Sequence, residues 1–146
     1  MASIDVSADI QIAAEPTDVA SVMFDPHREP EWISAVTRVE VLDPGIRPGA
    51  RVRRNGRLAG QDIQWTTEVE TFHFPHALTL RVVDGPFTGQ INYQIQRAGD
   101  GSVVRIRNRG ETTGFSFVPA ALIEGPLRAA LAGDLAKLKA IVEGQA

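Results

Sequence analysis

The chain contains no cysteine among its 146 residues. That excludes disulfides, thiolate metal sites and a cysteine nucleophile, and it suits a reducing compartment. No apolar run reaches the roughly 18 residues that a membrane-spanning helix needs. The opening Met1-Ala2-Ser3-Ile4-Asp5 lacks the basic and apolar regions of a secretion signal. Charge of one sign is also scarce. Fifteen Lys and Arg stand against 18 Asp and Glu, a net of −3, which leaves no strong field for nucleic acid or an anionic membrane. The expectation is a soluble, cytoplasmic protein with no nucleic-acid partner and no membrane insertion. Histidines number three: His73 and His76 flank Phe74-Pro75 in a turn, and His27 stands far from them. With no His-x-x-x-His or Glu-x-x-His pairing, no metal is expected. Walker, Gly-x-Gly-x-x-Gly and Gly-x-Ser-x-Gly motifs are missing too, so no cofactor is expected and no motif names a catalytic residue.

What the sequence does have is a long amphipathic run at its C-terminal end. From Pro119 to Gly144, Leu127, Leu131, Leu135, Leu138 and Val142 recur at steps of four, four, three and four, one face of a helix. Ile123 and Ala120 extend the stripe past Gly125 and Pro126, where a proline predicts either a bend or two segments. At the other end, Ile4, Val6, Ala8, Ile10 and Ile12 alternate with polar residues, a half-buried strand. Glu15-Pro16-Thr17-Asp18 then opens a helix that Asp25-Pro26 stops, and a short second helix over Arg28 to Ile33 carries Trp32.

Between Val36 and Thr113, alternating stretches are separated by turn chemistry. Val39 and Val41 precede Asp43-Pro44-Gly45. Ala50 to Arg54 leads into a turn region holding Asn55-Gly56 and Gly60, and Ile63, Trp65, Thr67 and Val69 share a face. Leu78, Leu80 and Val82 follow Pro75-His76; Ile91, Tyr93 and Ile95 follow Gly85-Pro86; Val104, Ile106 and Asn108 follow Gly99-Asp100-Gly101. A chain of this length buries about 70% of its unfolded surface and reads as one domain, 1–146. The fold class is α+β: about seven antiparallel strands in a curved sheet, wrapped on the long C-terminal helix, with two short helices after strand 1.

That order, with certain residues in place, resembles the START-like (SRPBCC) helix-grip superfamily, and within it the polyketide cyclase/dehydratase-like group. The likeness rests on Ala14-Glu15-Pro16 with Val19, Asp25-Pro26 with Glu31-Trp32, and Pro48-Gly49-Ala50. Glu68-Val69 with Phe72 and Pro75, Gly101-Ser102-Val103-Val104, Asp134-Leu135 and Leu138-Lys139 complete it. The resemblance implies a mostly apolar cavity between the concave face of the sheet and the N-terminal half of the long helix. Fold alone does not name chemistry.

On that expectation a small hydrophobic molecule (polyketide, aromatic or lipid-like) is the partner, and the candidate ligand-binding residues are Trp65, Thr67, Leu80, Tyr93, Asn108, Ile123, Glu124 and Leu127. Thr112 faces the same way. Two functions compete: a binder of that molecule, and a cyclase or dehydratase in which Glu124, Tyr93 or Asn108 serves as an acid, base or hydrogen-bond donor. Glu124 either enters the cavity or bends to solvent at the Gly125-Pro126 break. Tyr93 is either a cavity group or a core aromatic, and Asn108 beside Gly110 either binds or marks a bulge. Phe87, Phe115 and Phe117 form either an apolar lip or packing beneath the helix start. Arg51, Arg53, Arg54 and Arg57 form a basic cluster, and Arg105, Arg107 and Arg109 an outward stripe expected to pair with Glu68 and Glu70. The protein is expected to be a monomer or a weak homodimer through an exposed sheet edge.

Overall fold

The computed structural model describes residues 2–58, 60–112 and 120–144. The chain runs β1 (Ala2–Ile12), α1 (Pro16–Met23), a 3-10 turn (Pro26–Arg28), α2 (Glu29–Trp32), β2 (Val36–Val41), β3 (Arg51–Leu58) and β4 (Gln61–His73). It continues through β5 (Ala77–Asp84), β6 (Phe87–Ala98), β7 (Gly101–Thr112) and α3 (Ala120–Gly144). The strands form one antiparallel sheet in the order β1-β7-β6-β5-β4-β3-β2. Strands β2 to β7 are a meander, and β1 joins it at the far edge beside β7. The segment holding α1 and α2 therefore crosses the whole inner face to reach β2. Register shifts between Thr66 and Thr67 and between Val69 and Thr71 break the pairing of β4 with β5, the kind of irregularity that bends a strand.

Inner-face residues follow the alternation. Val6, Ile12, Ile95, Val104 and Ile106 are almost fully buried, and Leu131, Leu135, Leu138 and Val142 of α3 pack with them. Helix α3 keeps Pro126 within a single helical stretch rather than splitting there. The proline removes a donor from the carbonyl of Leu122, and Leu122 is 67% exposed, on a side that water reaches.

Polar side chains of α3 also fix the outer edge of β1. Glu124 Oε2 accepts from the Asp5 N–H at 3.2 Å, Glu143 Oε2 accepts from the Ala13 N–H at 2.8 Å, and Lys139 Nζ donates to the Gln11 carbonyl at 2.9 Å. These bonds satisfy backbone groups that an edge strand leaves open. They also set α3 along β1, running the same way.

Two readings are corrected here. Asn55-Gly56 is not a turn: both residues lie inside β3, opposite Gln64 and Ile63, and the chain reverses beyond Leu58. Glycine is required at 56 because the Ala35 carbonyl occupies the space a Cβ would take. The arginine stripe on β7 does point outward, but Arg107 pairs with Asp5 at 2.7 Å, Arg105 donates to Ser7, and Arg109 donates to Gln90. Glu68 is held instead by Arg51 and Arg81, and Glu70 by Arg81 and Gln90. The register brings β1 and β6, not β4, beside that stripe.

Candidate functional site

The inner face is not filled evenly. Where α3 lies over β1 and β7 the side chains are packed, whereas a partly open cavity of about 310 Å³ lies between β3–β6 and the α1–α2 segment. Met23 and Phe24 line it from α1, Ile46 from the loop after β2, and Val69, Leu78, Leu80 and Tyr93 from the strands. Aromatic contacts stiffen one wall. Phe24 stacks on Tyr93 with centroids 6.2 Å apart, Trp32 lies 6.1 Å from Tyr93, and Phe74, half exposed, meets Phe24 edge-on.

Two charged residues share this wall. Arg54 of β3 and Glu29 of α2 are each 4% exposed and line the cavity. They pair twice, Nε to Oε1 at 2.5 Å and Nη2 to Oε2 at 2.8 Å, and Arg54 Nη1 donates to Thr67 Oγ1 at 2.5 Å. Burial works against the guanidinium charge, but the Glu29 carboxylate outweighs it and holds the group above the ordinary arginine value. The Tyr93 hydroxyl is pushed far up, by burial first and then by the charge of Glu29, so it stays a neutral phenol. It has no hydrogen-bond partner among the described residues. Nearby, Asp134 of α3 accepts from the Ser34 N–H at 3.0 Å and its hydroxyl at 2.9 Å. Burial raises Asp134 above the usual aspartate range, with those two bonds opposing.

The predicted ligand-binding residues separate into three places. Leu80 and Tyr93 line the cavity. Thr67 lies behind it, 1% exposed, holding Arg54, and Trp65 is buried beside Phe87 with ring centroids 6.0 Å apart. Asn108, Ile123, Glu124 and Leu127 are outside the lining, on β7 and the first turns of α3, with Glu124 committed to the edge of β1. No bulge interrupts β7 at Asn108, whose Oδ1 is buried without a partner among the described residues. Phe115 and Phe117, and the side chain of Thr112, lie outside the described residues. No described residue of α3 lines this cavity, because α3 is drawn toward β1 by its edge bonds. His27 lines it and His76 Nδ1 is bonded to the Ile95 carbonyl, and no group of three metal-ligating side chains occurs among the described residues.

Arg54 and Glu29 were missed by grouping Arg54 with its exposed neighbours. The signal was present. Ala50, Val52 and Gly56 share one face of β3, so of the adjacent Arg53 and Arg54 one must turn inward, and parity selects Arg54. Likewise Glu29 stands three residues before Trp32 on one helix face, so burying Trp32 buries Glu29.

Sequence comparison matches residues 3–143 to the polyketide cyclase / dehydrase and lipid transport family. The chain belongs to this family. A START superfamily protein from Mycobacterium smegmatis has the same fold, with a TM-score of 0.85 at 19% identity, covering 97% of this chain and 99% of the other. A crystal structure from Thermus thermophilus superposes with a TM-score of 0.81 at 18% identity, covering 98% and 99%. The major latex-like protein 151 of Panax ginseng gives 0.72 at 14% identity, covering 96% and 97%. No curated protein matches in sequence. These likenesses establish a START-like helix-grip fold with an open sheet. No described helix is long and apolar enough to cross a membrane.

Proposed function

We propose that this family member binds a small, largely apolar molecule (polyketide, aromatic or lipid-like) in the cavity between β3–β6 and the α1–α2 segment. The observation that carries this reading is the mostly apolar, partly open space of about 310 Å³ between sheet and short helices. That volume is at the lower end of small-molecule sites, about 300–1,000 Å³. At an interior packing density of about 0.75 it accommodates roughly 230 Å³ of guest, enough for two or three fused rings and too little for a two-chain phospholipid.

Titration with a neutral, polarity-sensitive two-ring dye such as prodan tests it. We expect saturable uptake near one dye per chain, abolished in Leu80→Trp, which adds bulk to the same space while circular dichroism stays native. Uptake unchanged by Leu80→Trp, or none by the native protein, overturns the proposal.

The cyclase or dehydratase reading draws on Glu124, Tyr93 or Asn108 as its acid, base or hydrogen-bond donor. Of these three, Glu124 is bonded to the Asp5 N–H and Asn108 is outside the cavity lining, which leaves Tyr93, a neutral phenol. Binding is therefore the preferred reading. We assign the cytoplasm as its place of action, and a monomer or weak homodimer as its state, which light scattering across a concentration series checks.

A further inference from the structure

We infer that the Glu29–Arg54–Tyr93 corner makes this cavity selective for a guest bearing one neutral hydroxyl, and that it turns away the same skeleton bearing a carboxylate. The inference rests on the binding proposed above and names the chemistry that binding recognises. Of the five guanidinium N–H groups of Arg54, Nε and one on Nη2 go to Glu29. Those on Nη1 go to Thr67 and, at 3.5 Å, to the Val52 carbonyl. A second Nη2 hydrogen is left over, as are two of the roughly four acceptor positions on the Glu29 carboxylate. Tyr93 lines the same space, and its hydroxyl, close enough to feel the charges of Glu29 and Arg54, has no partner among the described residues. The corner therefore offers a donor, an acceptor and a phenol that can be either.

A hydroxyl, donor and acceptor at once, meets all three needs. A carboxylate does not. It supplies no donor to Glu29, and the positive charge it needs is already neutralised by a two-point pair. Entry would place it beside the buried Glu29 carboxylate, where a second, uncompensated negative charge is strongly disfavoured. An unsubstituted hydrocarbon fits sterically but leaves the open polar groups without the partner that water gave them.

Competition against bound prodan at pH 7 tests the inference, using naphthalene, 2-naphthol and 2-naphthoate on native protein and on Tyr93→Phe and Glu29→Gln. Native protein should hold 2-naphthol about tenfold more tightly than naphthalene and more tightly still than 2-naphthoate, the scale of one good hydrogen bond. Tyr93→Phe keeps the ring and should bring naphthol to within about threefold of naphthalene. Glu29→Gln frees the Arg54 charge and should reverse the order, placing naphthoate first. Equal binding of all three, or a native preference for naphthoate, overturns the inference while leaving the binding proposal standing. Absence of dye uptake defeats both. Should Glu29→Gln not fold, Tyr93→Phe decides alone, and an unchanged naphthol preference in it counts against the inference.

Discussion

The two halves of the inner face belong to one sheet and end differently. Helix α3, set along β1, buries Leu135 and Leu138 completely in one core cluster with Val6, Val104 and Ile106. Over β3 to β6 the cover is the short α1–α2 segment with Ile46 and Phe74 from neighbouring loops, and a cavity with an ion pair in its wall remains. The difference follows from reach. A single helix tied to one sheet edge cannot also fill the opposite side of a curved sheet, so stability concentrates in one half and recognition in the other.

The sharpest break in that comparison comes from the hollow half. Removing one member of the buried pair, as in Arg54→Met, strands the Glu29 carboxylate and should cost about 3–5 kcal/mol in urea unfolding. The double variant Arg54→Met with Glu29→Leu should return most of that loss, since a buried pair is close to neutral against apolar residues of similar volume. If the double variant is as unstable as the single one, the pair itself holds the hollow half together.

Next in size, Leu135→Ala in the packed half should lose about 2–5 kcal/mol. Leu80→Ala should fall near the lower end of that range, because one side of Leu80 already faces open space. Equal losses at the two positions would erase the distinction drawn between the halves.

A smaller effect depends on pH. Burial raises the folded pKa of Asp134 above its unfolded value. Its contribution to stability is thus fully present below the unfolded pKa and is lost as pH rises through the folded one. Asp134→Asn keeps an acceptor for Ser34 and escapes this loss. Its melting temperature relative to native protein should be highest near pH 7 and fall steadily toward pH 4. A gap that widens toward pH 4 contradicts the assignment. Smallest of all, Arg107→Ala removes the exposed pair with Asp5 and should leave the unfolding midpoint within measurement scatter.

Most of the scaffold could be read from residue types alone. Period-two alternation marked β1 and β4 to β7, and the stripe Leu131, Leu135, Leu138 and Val142 marked the face of α3, because burial follows these periods directly. Asn55-Gly56 misled, since the turn propensity of that pair was overridden by the Ala35 carbonyl, a contact made by a residue about twenty positions away. The site was less legible for a similar reason. Leu80 and Tyr93 follow from strand parity, whereas the position of the cavity depends on which edge α3 grips. That choice is made by Glu124, Lys139 and Glu143 bonding to backbone groups of β1, and no periodicity encodes it.

The placement of β1 has a further consequence, for the order of assembly. Among the described residues its one strand neighbour is β7, which begins at Gly101, and its outer side is closed by side chains as late as Glu143. The β2–β7 meander can zip up by nearest-neighbour hairpins as it forms, but β1 has no local partner at all. Contacts that span most of the chain are slow to form because loop closure precedes their reward. The pairing of β1 with β7 and α3 closes the longest loops of the fold, and we expect it to form after the β2–β7 meander, which pulse-labelled amide exchange on β1 would check.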